Sequence, residues 1–213
     1  MTARTSDVAR SAAPSLPSPA MKEAIVRKAR ESADTMVRFF EENAEALESC
    51  ARALAGRLES GGRLWVMGNG GSACDAQHIA VEFMHPIVEK RRAFAAHALT
   101  VDTATLTAIG NDTDFSRVFA AQLELVASPG DAALGISTSG ASANVTRALK
   151  RAREIGLLTI GFAGRDGGRL PEVCDWCFTV RSWSIHRIQE AHTALLHVLW
   201  DLVHVVLGED DVL

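Results

Sequence analysis

Residues 63–83, RLWVMGNGGSACDAQHIAVEF, constrain the fold of this chain more than any other stretch. The apolar run LWVMG reads as a buried strand, GNGG as a turn and SACDAQHIAVEFM as a helix. A strand that feeds a glycine turn and then a helix N-terminus leaves unpaired backbone N–H groups pointing outward, a ready anion site. His78 and Glu82 are four residues apart, one turn from each other on one face of that helix. One segment therefore sets a phosphate-sized cradle near an acid/base or metal-binding pair. That combination points to chemistry on a small phosphorylated molecule.

The rest of the chain repeats the alternation. From about Lys22 to Arg57 apolar residues recur at helical spacing (Val26, Met36, Phe39, Phe40, Leu47, Leu54), which predicts one long helix or two in succession. After Gly61-Gly62 the pattern switches to strand and helix in turn. HALTV (97–101) reads as a second strand, followed by a short helix from Thr103 to about Gly110-Asn111 and another from Phe115 to Val126. DAALGIS reads as a third strand, residues 142–155 as a helix closed by Gly156, LLTIGF and WCFTV as further strands, and Arg187 to Leu207 as a final amphipathic helix. Strands alternating with helices of this length predict a parallel sheet covered on both faces. Ligands of such sheets sit beyond the carboxyl ends of the strands, where GNGGS and STSG would be neighbours in one crevice. No internal repeat is visible.

At 213 residues, 47% hydrophobic and 23% charged, the chain suits one domain with a sizeable core. The expected division is a disordered tail over residues 1–20, rich in Ser, Ala and Pro, and a single domain over 21–213. The tail has no apolar run of the kind a signal peptide carries, and no later segment is long and apolar enough to span a membrane. A net charge of −4 argues against a nucleic-acid or membrane-surface partner. Without a secretion signal, Cys50, Cys74, Cys174 and Cys177 are expected to be reduced, and the expected compartment is the cytoplasm. Cys174-Asp175-Trp176-Cys177 has a redox- or zinc-like spacing but no matching second pair, so a structural role is expected.

Each motif also has a plainer reading. Gly68, Gly70 and Ala73 satisfy a loose dinucleotide fingerprint, but the acidic residue expected at the end of the next strand is missing, and a structural turn also needs glycine. Ser137, Thr138, Ser139 and Ser142 cluster hydroxyls at a strand end and a helix start; helix capping needs one of them, whereas a phosphate uses several. His78 and Glu82 alone fit a surface pair, and Asn111-Asp112 after Gly110 fits a helix stop. Gln189 and His197 are eight residues apart, ~80° around the helix and ~12 Å along it. They can share a ligand if it lies between them or if different subunits contribute; by spacing alone they are ordinary helix residues. His85, His192 and His204 carry no signal of their own.

Taken together, GNGGSACDAQH, LTAIGND, GISTSGASANV, GRDGG and RIQEAH resemble the sugar isomerase (SIS) domain, and within it the phosphoheptose isomerase branch, over about residues 25–207. The resemblance implies a three-layer α/β sandwich with a five-stranded parallel sheet and an N-terminal helical extension. It also implies a homotetramer with active sites at subunit contacts and a reaction that turns sedoheptulose 7-phosphate into a manno-heptose 7-phosphate for bacterial heptose biosynthesis. It implies one zinc ion per subunit, held by His78, Glu82, Gln189 and His197. The phosphate falls to Ser137, Thr138, Ser139 and Ser142, and other substrate contacts to Asn69, Gly70, Gly71, Ser72, Glu82, Asn111, Asp112 and Gln189. For the proton transfer, Glu82 is the expected base and His197 the acid/base on the opposite side. A carboxylate held tightly by zinc is a poor base, and Gln is a weak zinc ligand, so Glu82 is expected to be partly released when substrate binds.

One branch of the same domain is not catalytic and binds the bacterial replication initiator as a tetramer. It loses the Glu and the last-helix His that stand here as Glu82 and His197. Two departures from the isomerase pattern lie near the crevice. After Glu82 the family commonly has a short segment ending in Arg, where this chain has Phe83-Met84-His85-Pro86-Ile87, with Arg91 and Arg92 only later. Before the last helix an acidic or small residue is usual, and here it is His186. A related phosphosugar therefore stays open as the substrate.

Overall fold

The computed structural model describes residues 19–87 and 91–212. The expected tail over 1–20 lies outside the described residues except for Pro19 and Ala20, which open the first helix. That helix, α1 (Pro19–Glu59), is one continuous element, not two. Its buried stripe, Phe39, Leu47, Cys50, Ala51, Leu54, Ala55 and Leu58, is confined to the second half, where it lies against the body of the protein.

Five strands follow: β1 (Leu64–Gly68), β2 (Ala96–Ala98), β3 (Ala132–Ser137), β4 (Leu158–Gly164) and β5 (Trp176–Val180). They form one sheet in the order β2-β1-β3-β4-β5, with every pair parallel. The helices between them are α2 (Gly71–Met84), α3 (Thr103–Asp112), α4 (Ala120–Val126), α5 (Ala143–Ile155), the short α6 (Leu170–Val173) and α7 (Ile185–Val206). The expected three-layer α/β sandwich is the observed fold. Side chains alternate across the strands. Leu64, Val66, Leu134, Ile136, Ile160 and Phe162 join a core with α1, α2 and α7. Trp65, Met67, Ala133 and Ala163 join a second core with α4, α5 and α6. Among the described residues no helix is long and apolar enough to cross a membrane.

Two local expectations differ. The second strand is Ala96–Ala98, not 97–101, because the chain turns at Leu99-Thr100 and Asp102 then caps α3 by accepting from the Thr105 amide (3.0 Å). The run Phe115–Val126 divides into a 3₁₀ turn, Phe115–Arg117, and α4; the Asp114 carboxylate holds the turn through the Ser116 amide (2.7 Å).

The topology sets the site. From β1 the chain moves outward to β2, then crosses back over β1 to β3 and continues through β4 and β5. The order reverses between β1 and β3, whose helices leave on opposite faces and open a crevice beyond the strand ends. Gly68 and Ser137 end these two neighbouring strands, so the glycine turn and the hydroxyl loop lie side by side, as expected.

Candidate active site

The glycine turn is shaped by close approach. A Cβ on Gly68 would lie 2.4 Å from the Ser72 carbonyl oxygen, and Gly70 enters α2 with a φ of +56°, a conformation that glycine adopts without strain. No side chain caps α2, and Ser72 is buried beneath its first turn.

The hydroxyl loop is organised around Ser137, which is buried. Its Oγ lies 2.9 Å from Ser142 Oγ and 3.4 Å from Ser139 Oγ, and Ser139 Oγ accepts from the Ala141 amide (3.2 Å). Ser142 occupies the N-cap position of α5 but caps nothing with its side chain. The capping explanation for these hydroxyls therefore fails, and the start of α5 keeps the positive end of its helix dipole for a ligand. Gly140 (φ +63°) allows the loop to sit on the Gly167-Gly168 segment, where a Cβ would be 2.0 Å from the Gly167 carbonyl oxygen.

Asn69 joins the two loops. Its side chain exchanges two hydrogen bonds with that of Asn144, in the first turn of α5, at 2.9 and 2.8 Å. Asn144 is buried, and the sequence reading missed its role. An Asn in the first turn of a helix is the local signal that was available.

His78 and Glu82 project from α2 toward α7, where they meet His197. His78 Nε2 is 3.3 Å from Glu82 Oε1 and 3.2 Å from His197 Nε2, with the two imidazoles edge to face. One ligand atom from each residue lies within 4.8 Å of the others, and all three side chains are half-buried. A single proton on His78 Nε2 cannot serve both neighbours well, whereas a shared cation takes one lone pair from each of the three facing atoms. Two ligands of a tetrahedral zinc at about 2.0–2.1 Å stand about 3.3 Å apart, close to what is seen. Two imidazoles and a carboxylate with an open position are also the donor set of catalytic zinc sites. Burial, with a smaller contribution from the neighbouring His78, lowers the His197 pKa against the opposing pull of Glu82, which favours the neutral form that a metal requires.

The other expected residues divide. Gln189 lies beside the glycine turn, where a Cβ on Gly71 would come 2.1 Å from its Nε2. The helical offset that separates Gln189 from His197 thus places one at each end of the α2 face. Asn111 and Asp112 sit exposed at the end of α3; Asn111 donates to Asp112 (2.8 Å), and neither bonds to the other site side chains among the described residues. Cys174 and Cys177 are free thiols packed around Gly161, and burial raises the pKa of both, the environment of structural cysteines.

Residues 29–164 match the SIS domain family model. The chain is similar to the phosphoheptose isomerase of Aquifex aeolicus, 44% identical over 89% of this chain and 99% of that protein. Among solved structures it is similar to a phosphoheptose isomerase from Neisseria gonorrhoeae, with a TM-score of 0.80 and 37% identity over 85% of this chain and 97% of that one. A phosphoheptose isomerase from Francisella tularensis aligns with a TM-score of 0.82 and 32% identity over 86% and 98%.

Proposed function

The chain belongs to the phosphoheptose isomerase family of SIS-domain enzymes, and on that premise we propose that it interconverts sedoheptulose 7-phosphate and D-glycero-D-manno-heptose 7-phosphate by proton transfer between C1 and C2 through an enediolate. The observation that carries this reading is the meeting of His78, Glu82 and His197 beside two loops fitted for an anion.

Each group has a task that suits its place. The hydroxyls of Ser137, Thr138, Ser139 and Ser142, with the start of α5, hold the phosphate at one end of the crevice. Asn69, Gly70, Gly71, Ser72 and Gln189 line the glycine turn, where the sugar hydroxyls find donors and acceptors. Asn111 and Asp112 remain contacts by family pattern, reached when substrate or a second subunit covers the end of α3. Glu82 takes the proton from one carbon and returns it to the other, and His197 moves the proton between the oxygens. Zinc held by His78, Glu82 and His197 would polarise those oxygens as a Lewis acid; Gln189, at the other end of the α2 face, completes the set only if a second subunit supplies it. Glu82 acts as base in the fraction of time that its carboxylate faces the sugar. The proposal includes a homotetramer in the cytoplasm; exposed Ile25, Val26 and Val37 on α1 support assembly of this kind.

The test is conversion of sedoheptulose 7-phosphate by the purified chain, with and without a chelator, followed by zinc add-back. Turnover lost on chelation and restored by zinc is expected. Turnover unaffected by complete removal of metal would sink the zinc role, and Glu82→Gln with wild-type turnover would sink the base. No conversion by the zinc-loaded chain, with conversion of a different phosphosugar, would reassign the substrate and direct attention to Pro86 and His186.

A further inference from the structure

Helix α2 ends beside the site, and its last turn is held from outside the helix. The last four carbonyls of a helix have no partner within it. In α2 they belong to Val81, Glu82, Phe83 and Met84. The amide of His85 takes the first (2.8 Å), and the amide of Phe94 takes the third (2.8 Å). The second is taken by a side chain from another helix: Trp200 of α7 donates its indole N–H to the Glu82 carbonyl (2.9 Å).

Trp200 is 2% exposed and follows His197 by three residues, so both project from the same side of α7. That side of the helix supplies His197 to the Glu82 carboxylate cluster and Trp200 to the Glu82 backbone. Trp200 is itself clamped. The guanidinium of Arg91 stacks 4.5 Å from its ring centroid and ion-pairs with the adjacent Asp201, while the His204 ring meets it edge to face at 5.0 Å. Arg91 also donates to the Asp210 carbonyl (2.7 Å). The side chains of Arg91 and Asp201 are only 3% and 7% exposed. Such a buried pair gives less stability than its Coulomb attraction implies, because both charges lose water. Its geometric effect is the larger one, since it fixes where the Trp200 ring lies.

We infer that Trp200 is a positioning residue for Glu82, with Arg91 holding Trp200 in place. The indole N–H ties the backbone of Glu82 to the helix that carries His197, and so sets the separation of Glu82, His78 and His197. The inference rests on the isomerase reading of that cluster. A phenyl ring at position 200 fills most of the same space but leaves the Glu82 carbonyl without its donor. The last turn of α2 is then free to shift, and groups that meet at 3.2 and 3.3 Å lose their registration. Losing an outer partner of a metal ligand typically costs about 10- to 100-fold in metal affinity or activity.

The test is Trp200→Phe in the full chain, beside Arg91→Lys. The readouts are zinc affinity by competition with a chromophoric chelator, the visible spectrum of the cobalt(II)-substituted protein, and kcat and KM for sedoheptulose 7-phosphate. Trp200→Phe is expected to weaken zinc binding about tenfold and lower kcat about tenfold, with KM within about twofold and an altered cobalt spectrum. Arg91→Lys keeps the indole but loses the planar stack and fork, and is expected to move the same readouts in the same direction by less. A merely structural Trp200 would lower the unfolding midpoint and leave zinc affinity, cobalt spectrum and kcat per folded molecule at wild-type values; that result overturns the inference. If Trp200→Phe does not fold, Arg91→Lys decides on the same readouts. Failure of the isomerase reading looks different: the wild-type chain itself then neither binds zinc nor turns over the sugar phosphate, and both readings fall together.

Discussion

Asn69 and Asn144 exchange side-chain amides across the crevice, each Nδ2 donating to the other's Oδ1. The two residues are 75 positions apart in the chain, and their bond fixes the spacing of the glycine turn and the hydroxyl loop. Asn144→Ala removes one partner and leaves the Asn69 amide unpaired. We expect a stability loss of about 1–3 kcal/mol. KM for the sugar phosphate is expected to rise by more than kcat falls, because the loops that bind its two ends lose registration. Urea unfolding and steady-state kinetics check this, and an unchanged KM would refute the bridging role.

Gly71→Ala separates site geometry from stability. Gly71 opens α2, where alanine is a better helix former than glycine. The added methyl would meet the end of the Gln189 side chain, which can swing aside at little cost to folding. We expect stability within about 0.5 kcal/mol of wild type. Turnover is expected to fall about tenfold, as for displacement of a polar contact worth about 1.4 kcal/mol. Thermal unfolding and a kinetic assay on the same preparation check both halves.

His192 makes the fold acid-sensitive in a defined window. It is buried, with Nε2 2.9 Å from the Ala163 carbonyl oxygen, and burial lowers its pKa to about 4 despite that bond. Below the ordinary value of about 6.5 the unfolded chain takes up a proton that the folded chain refuses. Stability is therefore full above that value and falls as pH drops toward 4, by about 3 kcal/mol in total. His192→Leu should flatten this slope. Urea midpoints of metal-free protein at several pH values between 7 and 4 measure it, and parallel slopes for the two proteins would exclude His192 as the cause.

Asp131 immediately precedes β3, at the end opposite the site. Its carboxylate accepts from the Trp65 indole (2.8 Å) and from the backbone amides of Arg63 (2.9 Å) and Ser128 (3.0 Å). Burial alone would raise its pKa, but these bonds and the Arg63 charge together hold it below the usual carboxylate range. Its contribution is present above about pH 4 and is lost as pH falls through that depressed value. Asp131→Ala strands three donors and should cost about 3 kcal/mol at neutral pH. Turnover per folded molecule should not change, and a large loss of kcat would contradict the separation of the two ends of the sheet.

Much of the fold was legible because its signals are local. The glycine turn at 68–71, the hydroxyl loop at 137–142 and the alternation of strands and helices all lie within short windows, and hydrophobic period and turn chemistry act over such windows. Boundaries slipped where a side chain decided them, as where Asp114 caps a 3₁₀ turn over residues 115–117 at the start of the expected helix 115–126. For the site, His78 and Glu82 could be paired by spacing. His197, Gln189, Asn111 and Asp112 came from family resemblance and not from any local signal.

By itself the sequence determined the order of elements, the parallel sheet and the two anion-fitted loops. Only the tertiary structure decided which distant groups meet: His78 with His197, Asn69 with Asn144, Trp200 with the Glu82 carbonyl, and Gln189 with Gly71. The physical reason is sequence separation. Spacing along one helix fixes direction to within a turn, but partners 75 to 119 residues apart are brought together by the packing of α2 and α7 on one face of the sheet and by the reversal of strand order between β1 and β3.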